Sequence, residues 1–214
     1  MSASAFFSKL EAACMPEKSR IVRMQAGDVF FRQGDATPGL SMVVEGRVDL
    51  LRTTDAGQQV RIHVGRAGET FAEASLYSET CHCDAVAAAP TQLRLLPRPA
   101  VLRAFERSPE LSQDFAAHLA LSLMRARRLL ELRAMTPLTE RVLARLADLV
   151  DADGTLPPDQ SLRSIADDLG VSGPALYRTI AELARRGSLV RPARGRVRLL
   201  SAAEKAEKRT RLEC

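Results

Sequence analysis

What the 214-residue chain lacks narrows its class. No apolar run is long enough to cross a bilayer, and no charged-then-apolar leader follows Met1. The cytoplasm is therefore the expected home, and no membrane partner is expected. The cysteines are Cys14, Cys81, Cys83 and Cys214, too unevenly scattered for the disulfide framework of a small secreted domain, so reduced thiols are expected. Phosphate-gripping Gly-rich loops, HExxH, GxSxG and clustered acid–base sets are missing, and only three histidines occur, His63, His82 and His118. An enzyme is not expected, and the sequence assigns no cofactor.

What is present reads as a soluble globular protein, 46% hydrophobic and 27% charged. A net charge of +5 is compatible with a polyanionic partner. Its placement says more: Arg185, Arg186, Arg191, Arg194, Arg196 and Arg198 fall in one stretch without an acid. Such clustering is expected where phosphates are neutralised, with a solvated basic surface as the plainer alternative.

From Ile21 to Leu96 short β-type runs are punctuated by glycine: Val29 to Phe31, Leu40 to Val44, Val48 to Leu51 and Val60 to Val64, broken at Gly34, Gly46, Gly57, Gly65 and Gly68. Short strands at this spacing predict an antiparallel roll or barrel, preceded by a small amphipathic helix over Ala5 to Cys14. A helical segment starts at Pro99 to Phe105. Ser108-Pro109-Glu110 then starts a long helix that runs to about Met135, with a cap, a first-turn proline and an acid at the positive dipole end. On it Phe115, Leu119, Leu123, Ala126 and Leu130 recur at helical spacing, while Arg125, Arg127, Arg128 and Arg133 crowd its second half. The apolar stripe needs cover, either from the chain's own β-domain or from the same stripe of a second copy.

Thr136-Pro137 breaks that helix and Leu138 to Val150 forms the next, followed by a loop over 151–160. Ser161 caps a helix over Leu162 to Leu169, Gly170 stops it, and Ser172 caps a second helix opening at Gly173-Pro174. Two short helices joined this way form a helix-turn-helix, with Ile165, Ala166, Leu169, Leu176, Ile180 and Leu183 as its core. Leu189-Val190 and Val197 to Leu200 then read as a two-stranded wing with Arg194 and Arg196 at its tip. The candidate DNA contacts are Arg163, Ser172, Gly173, Ala175, Tyr177, Arg178, Arg194 and Arg196. The first turn of the second helix would meet base edges in the major groove, and the wing the backbone. Winged helices also serve as protein-interaction modules, which stays open as an alternative.

The order of β-roll, long helix and winged helix-turn-helix resembles the Crp/Fnr family of bacterial regulators over nearly the whole chain. The resemblance is carried by Ala26-Gly27-Asp28-Val29-Phe30-Phe31-Arg32-Gln33-Gly34-Asp35, by Val44-Glu45-Gly46-Arg47-Val48, by Gly68-Glu69-Thr70-Phe71-Ala72-Glu73-Ala74-Ser75-Leu76, and by Ile165 to Arg178. It implies an α+β fold: an N-terminal antiparallel, jelly-roll-like β-roll for effector sensing over 1–107, a dimerisation helix over 108–135, and a winged helix-turn-helix over 136–214. It further implies a homodimer on a palindromic double-stranded operator, with RNA polymerase as a partner if the chain activates. The stripe Phe115, Leu119, Leu123, Ala126 and Leu130 is then the expected dimer seam, and Glu73, Ser75, Cys83 and Asp84 the expected effector pocket.

Departures from the family pattern restrict the signal. Cyclic-nucleotide binders hold the ribose with a glutamate, which Glu73 matches, and the cyclic phosphate with an Arg-Ser or Arg-Thr pair, where this chain has Cys83 and Asp84. Cyclic AMP is not the expected effector. Oxygen sensors carry several closely spaced N-terminal cysteines, whereas Cys14 stands alone. The recognition helix reads Gly173-Pro174-Ala175-Leu176-Tyr177-Arg178, in which only Arg178 carries over. Cys81-His82-Cys83 is the one grouping that suggests metal, haem or redox sensing. Extended, it would put both cysteines on one face and His82 on the other, which favours plain packing.

Overall fold

A computed structural model describes residues 3–201 except 16, 18, 159 and 192–196, together with Glu204. The chain divides into two compact units, Met1–Ser122 and Leu123–Cys214.

The first unit begins with α1 (Ala3–Ala13). Eight strands follow: β1 (Arg20–Met24), β2 (Val29–Phe31), β3 (Gly39–Glu45), β4 (Arg47–Thr53), β5 (Gln59–Arg66), β6 (Thr70–Phe71), β7 (Asp84–Ala87) and β8 (Thr91–Pro97). A 3-10 turn at Ala74–Tyr77 separates β6 from β7, and α2 (Arg98–Arg107) follows β8. The strands make two four-stranded antiparallel sheets, ordered β1-β8-β3-β6 and β2-β7-β4-β5, which is the expected β-roll.

Period-two patterning gives each sheet an inner face, where Phe31, Val43, Val48, Leu50, Phe71, Ala85 and Leu93 form one apolar interior. β3 is buried on both sides from Gly39 to Val43. Val43 faces the interior, while Leu40 and Met42 join Phe6, Phe7 and Leu10 of α1 and Val101 and Phe105 of α2 in a second cluster. Each such Leu or Phe, fully buried, contributes about 1.5–3 kcal/mol. The tight β3–β4 connection depends on Gly46, whose φ is +86° and where a Cβ would lie 2.3 Å from the Pro90 carbonyl oxygen.

α3 (Pro109–Ala134) starts as its sequence demands, with the Leu111 N–H donating to Ser108 Oγ at 3.3 Å. The expectation for Phe115 is corrected here. It belongs to the core of the first unit, 3% exposed, with its ring 4.9 Å from that of Phe105 and 5.7 Å from that of Phe6. It lies at the edge of the stripe, and Leu111 four residues before it turns that edge inward. Leu119, Leu123, Ala126 and Leu130 stay exposed on the chain.

The second unit holds α4 (Leu138–Ala147), α5 (Leu162–Leu169), α6 (Gly173–Arg185) and the hairpin β9 (Leu189–Val190) with β10 (Arg198–Leu199). α4 stops three residues before the expected Val150 because the N–H groups of Leu149 and Val150 both donate to the Leu146 carbonyl at 2.9 Å, closing the end tightly. Ser161 Oγ accepts the Ser164 N–H at 3.0 Å and Gly170 adopts the left-handed conformation, so both ends of α5 form as read from sequence. Val142, Leu146, Ile165, Leu169, Leu176, Ile180 and Leu183 fill the core. Beside it, the Arg145 guanidinium meets the buried Asp168 carboxylate at 2.5 Å.

Candidate nucleic-acid interface and effector site

α6 is fixed by its apolar face and its cap. Leu176, Ile180 and Leu183 are buried against Ile165, Ala166 and Leu169 of α5, and Ser172 Oγ accepts the Ala175 N–H at 3.3 Å. Helical spacing then turns Tyr177 and Arg178 to solvent, with Tyr177 50% exposed. Arg178 makes no ion pair among the described residues, so its guanidinium is available to a base edge or a phosphate. Ser172 is exposed at the helix start, where orphan N–H groups and the dipole favour an anion. Gly173 and Ala175 are partly buried, and Arg163 is exposed on α5.

The basic stretch is less free than its composition suggests. Arg186 pairs with Glu182 one turn back on α6, and Arg198 pairs with Glu204 at 2.8 Å. Arg185 and Arg191 are exposed. Arg194 and Arg196, the wing-tip candidates, lie outside the described residues. The hairpin that would carry them is present, with Leu189 opposite Leu199 and Val190 opposite Arg198.

In the β-roll, the structure separates the four effector candidates. Ser75 and Cys83 are each 1% exposed. Ala72, in the left-handed region at φ 68°, sets the path of the chain into Glu73. A non-glycine residue held in this conformation is backbone strain of the kind found at ligand-binding turns. Glu73 Oε1 accepts the Thr70 hydroxyl at 2.5 Å and lies 3.4 Å from His118 Nε2. His118 Nε2 is also 2.9 Å from Thr70 Oγ1. With the Thr70 proton directed at Glu73, Nε2–H donates to Thr70. Burial works to raise the Glu73 pKa, but hydrogen bonds from His118, Thr70 and a backbone N–H, with the His118 charge, outweigh it and hold the carboxyl below its ordinary range.

His118 was not singled out by sequence. A signal for it exists: Leu111, Phe115 and His118 are spaced four and three apart on the core-facing side of α3, and its ring stacks on Phe6 at 5.3 Å. Asp84 corrects the expected pocket. Its Oδ1 accepts the Gln33 N–H at 2.7 Å, and β7 pairs it with Leu51, on the strand face away from the buried Ala85 and Ala87.

The Cys81-His82-Cys83 segment follows the packing alternative. Both cysteines are 1% exposed in the roll interior while His82 is exposed. Burial pushes the Cys83 thiol up to about 11 and raises that of Cys81, so neither is a ready nucleophile.

Residues 21–108 match the cyclic nucleotide-binding domain family. The chain is 30% identical over 194 residues to the transcriptional regulator SdrP of Thermus thermophilus, covering 87% of this chain and 92% of that protein. It is 33% identical over 180 residues to the cyclic AMP receptor protein of the same organism, covering 83% and 82%. A crystal structure of a CRP/FNR-family transcriptional regulator from Thermus thermophilus superposes with a TM-score of 0.53 at 28% identity, covering 88% of this chain and 97% of that one.

Proposed function

The chain belongs to the CRP/FNR family of transcriptional regulators, and from that premise we propose that it reads a palindromic DNA operator as a homodimer and answers a signal other than cyclic AMP. The observation that carries the DNA reading is α6, capped by Ser172 and presenting Tyr177 and Arg178 on the face away from its core. Residues 136–214 are the proposed DNA-binding part, 108–135 the dimer helix and 1–107 the sensing part. Half-sites are then expected about one helical turn, roughly 34–36 Å, apart.

Two features of the roll argue against cyclic AMP. Cys83 supplies no cation where a cyclic phosphate would need one, and the carboxylate that would hold the ribose is already engaged by Thr70 and His118. A metal or haem held jointly by Cys81, His82 and Cys83 is not favoured, because His82 is exposed while both thiols are buried.

Selection of bound duplexes from a random-sequence pool, followed by gel-shift titration, tests the reading. Enrichment of a two-fold symmetric site is expected. A chain that retains no duplex sequence-specifically is a protein-interaction module instead. Calorimetry that gives low-micromolar binding of cyclic AMP would overturn the claim about the signal.

A further inference from the structure

The second half of α3 serves two neighbours at once. Leu123, Ala126 and Leu130 are exposed along one stripe, while Leu132 is completely buried and Leu129 and Met135 pack beside it in the core of the second unit. The proposed dimer seam and the helix-turn-helix therefore share one helix end, within the unit that begins at Leu123.

Arginines on backbone carbonyls join that end to the helix-turn-helix. Arg133, in the last turn of α3, donates from Nε to the Asp168 carbonyl at 2.9 Å and from a terminal nitrogen to the Asp167 carbonyl at 3.4 Å. Both carbonyls belong to the last turn of α5, where the helix dipole is negative and a cation is favoured. A Cβ added at Gly170 would lie 3.6 Å from Arg133 Nε, which puts the guanidinium against the turn between α5 and α6. Arg141 of α4 closes the ring, reaching the Leu169 carbonyl at 3.5 Å and the Arg133 carbonyl at 3.4 Å. Arg145, one turn on, brings two N–H groups to one oxygen of the buried Asp168 carboxylate at 2.5 and 3.2 Å. The fold of α5 does not need Arg133 for its own closure: Gly170 is left-handed and the Val171 N–H donates to the Ala166 carbonyl at 3.0 Å.

We propose that Arg133 is a positioning residue for operator recognition. By gripping the end of α5 from the last turn of α3, it fixes the angle of α6 to the dimer seam, and with it the half-site spacing that the dimer accepts. The proposal rests on the reading of the chain as a dimeric DNA-binding regulator. Half-sites about 34 Å apart put each recognition helix about 17 Å from the two-fold axis, so a swing of about 10° displaces it by about 3 Å, close to the roughly 3.4 Å rise of one base pair. A planar guanidinium spanning two carbonyls resists such a swing, and a single ammonium resists it less.

Gel-shift titrations at fixed salt test it, with full-length protein and the selected operator lengthened or shortened at its centre by one and two base pairs. Wild type should prefer the selected spacing over its neighbours by at least about tenfold, the scale of one mismatched base pair. Arg133→Met keeps the aliphatic stem and removes the guanidinium, and should shrink that preference to under about threefold while sedimentation still shows a dimer. Arg133→Lys should fall between the two, and it carries the test alone if circular dichroism shows that Arg133→Met does not fold. Arg163→Gln, at the exposed candidate DNA contact on α5, should lower the affinity at every spacing by the same factor. A wild type indifferent to spacing, folded Arg133 variants that keep the wild-type profile, or variants that lose affinity equally at every spacing overturn the inference and leave the regulator reading standing. A wild type that selects no duplex overturns the regulator reading itself.

Discussion

Leu123→Glu is the sharpest test of the dimer. Leu123 is 51% exposed on the chain, between Leu119 at 37% and Leu130 at 65%, and a second copy laid along α3 would cover all three. Fully burying a leucine contributes about 1.5–3 kcal/mol, so covering the exposed half of Leu123 is worth about 1 kcal/mol per chain and about 2 kcal/mol per dimer. Glutamate removes that and places two like charges in a drying seam, each with a desolvation cost of several kcal/mol. A loss of at least about 5 kcal/mol, a factor of more than a thousand in dissociation constant, follows. Leu123→Ala separates the two contributions, because it removes only the apolar part and should weaken the dimer about thirtyfold. Sedimentation velocity at micromolar concentration reads both, with circular dichroism to verify that each variant folds. A wild-type monomer, or a Leu123→Glu protein that remains dimeric, refutes the reasoning.

Arg178→Ala should cost about 1–3 kcal/mol of operator affinity and relax preference at one base position of each half-site, measured by titration against single-base variants; an unchanged preference profile makes Arg178 a phosphate clamp. Arg194→Ala should weaken all sequences about equally and lower the salt slope by about one unit per chain, read from titrations at several salt concentrations. Alkylation of the native protein with iodoacetamide at pH 8, followed by peptide mass analysis, should leave Cys81 and Cys83 largely unmodified until denaturant is added, because burial disfavours both thiolates. Glu73 is held below its ordinary value of 4.5, so its contribution to stability is present above that pH and is lost as pH falls through the depressed value. Thermal melts of Glu73→Gln should therefore lose less stability than wild type on acidification below pH 4.5; parallel acid limbs would contradict this.

Most of the fold was legible because it is set by local rules. Ser161, Gly170 and Ser172 mark helix ends through their own backbone and hydroxyl chemistry, and Gly46 marks a turn that a Cβ would block. What was not legible depends on a partner distant in sequence. Phe115 has the spacing of the exposed stripe, yet α1 and α2 cover it. His118 could be placed on a helix face, but not against Glu73, which lies 45 residues away.

The same distinction explains why the two candidate sites differ in clarity. A recognition helix is one contiguous segment, so its buried Leu176, Ile180 and Leu183 assign Tyr177 and Arg178 to the outside with no other knowledge of the fold. A pocket inside a roll is assembled from neighbouring strands whose register the sequence does not print. Reading along the segment that enters β7 finds Cys83 and Asp84 side by side and places both in one pocket. Reading across the ladder finds Asp84 beside Leu51 of β4, off the buried face of Ala85 and Ala87. Which face a charge serves is therefore decided by its cross-strand partner as well as by its own segment. The residue one strand away, about 5 Å distant, contributes to the same surface.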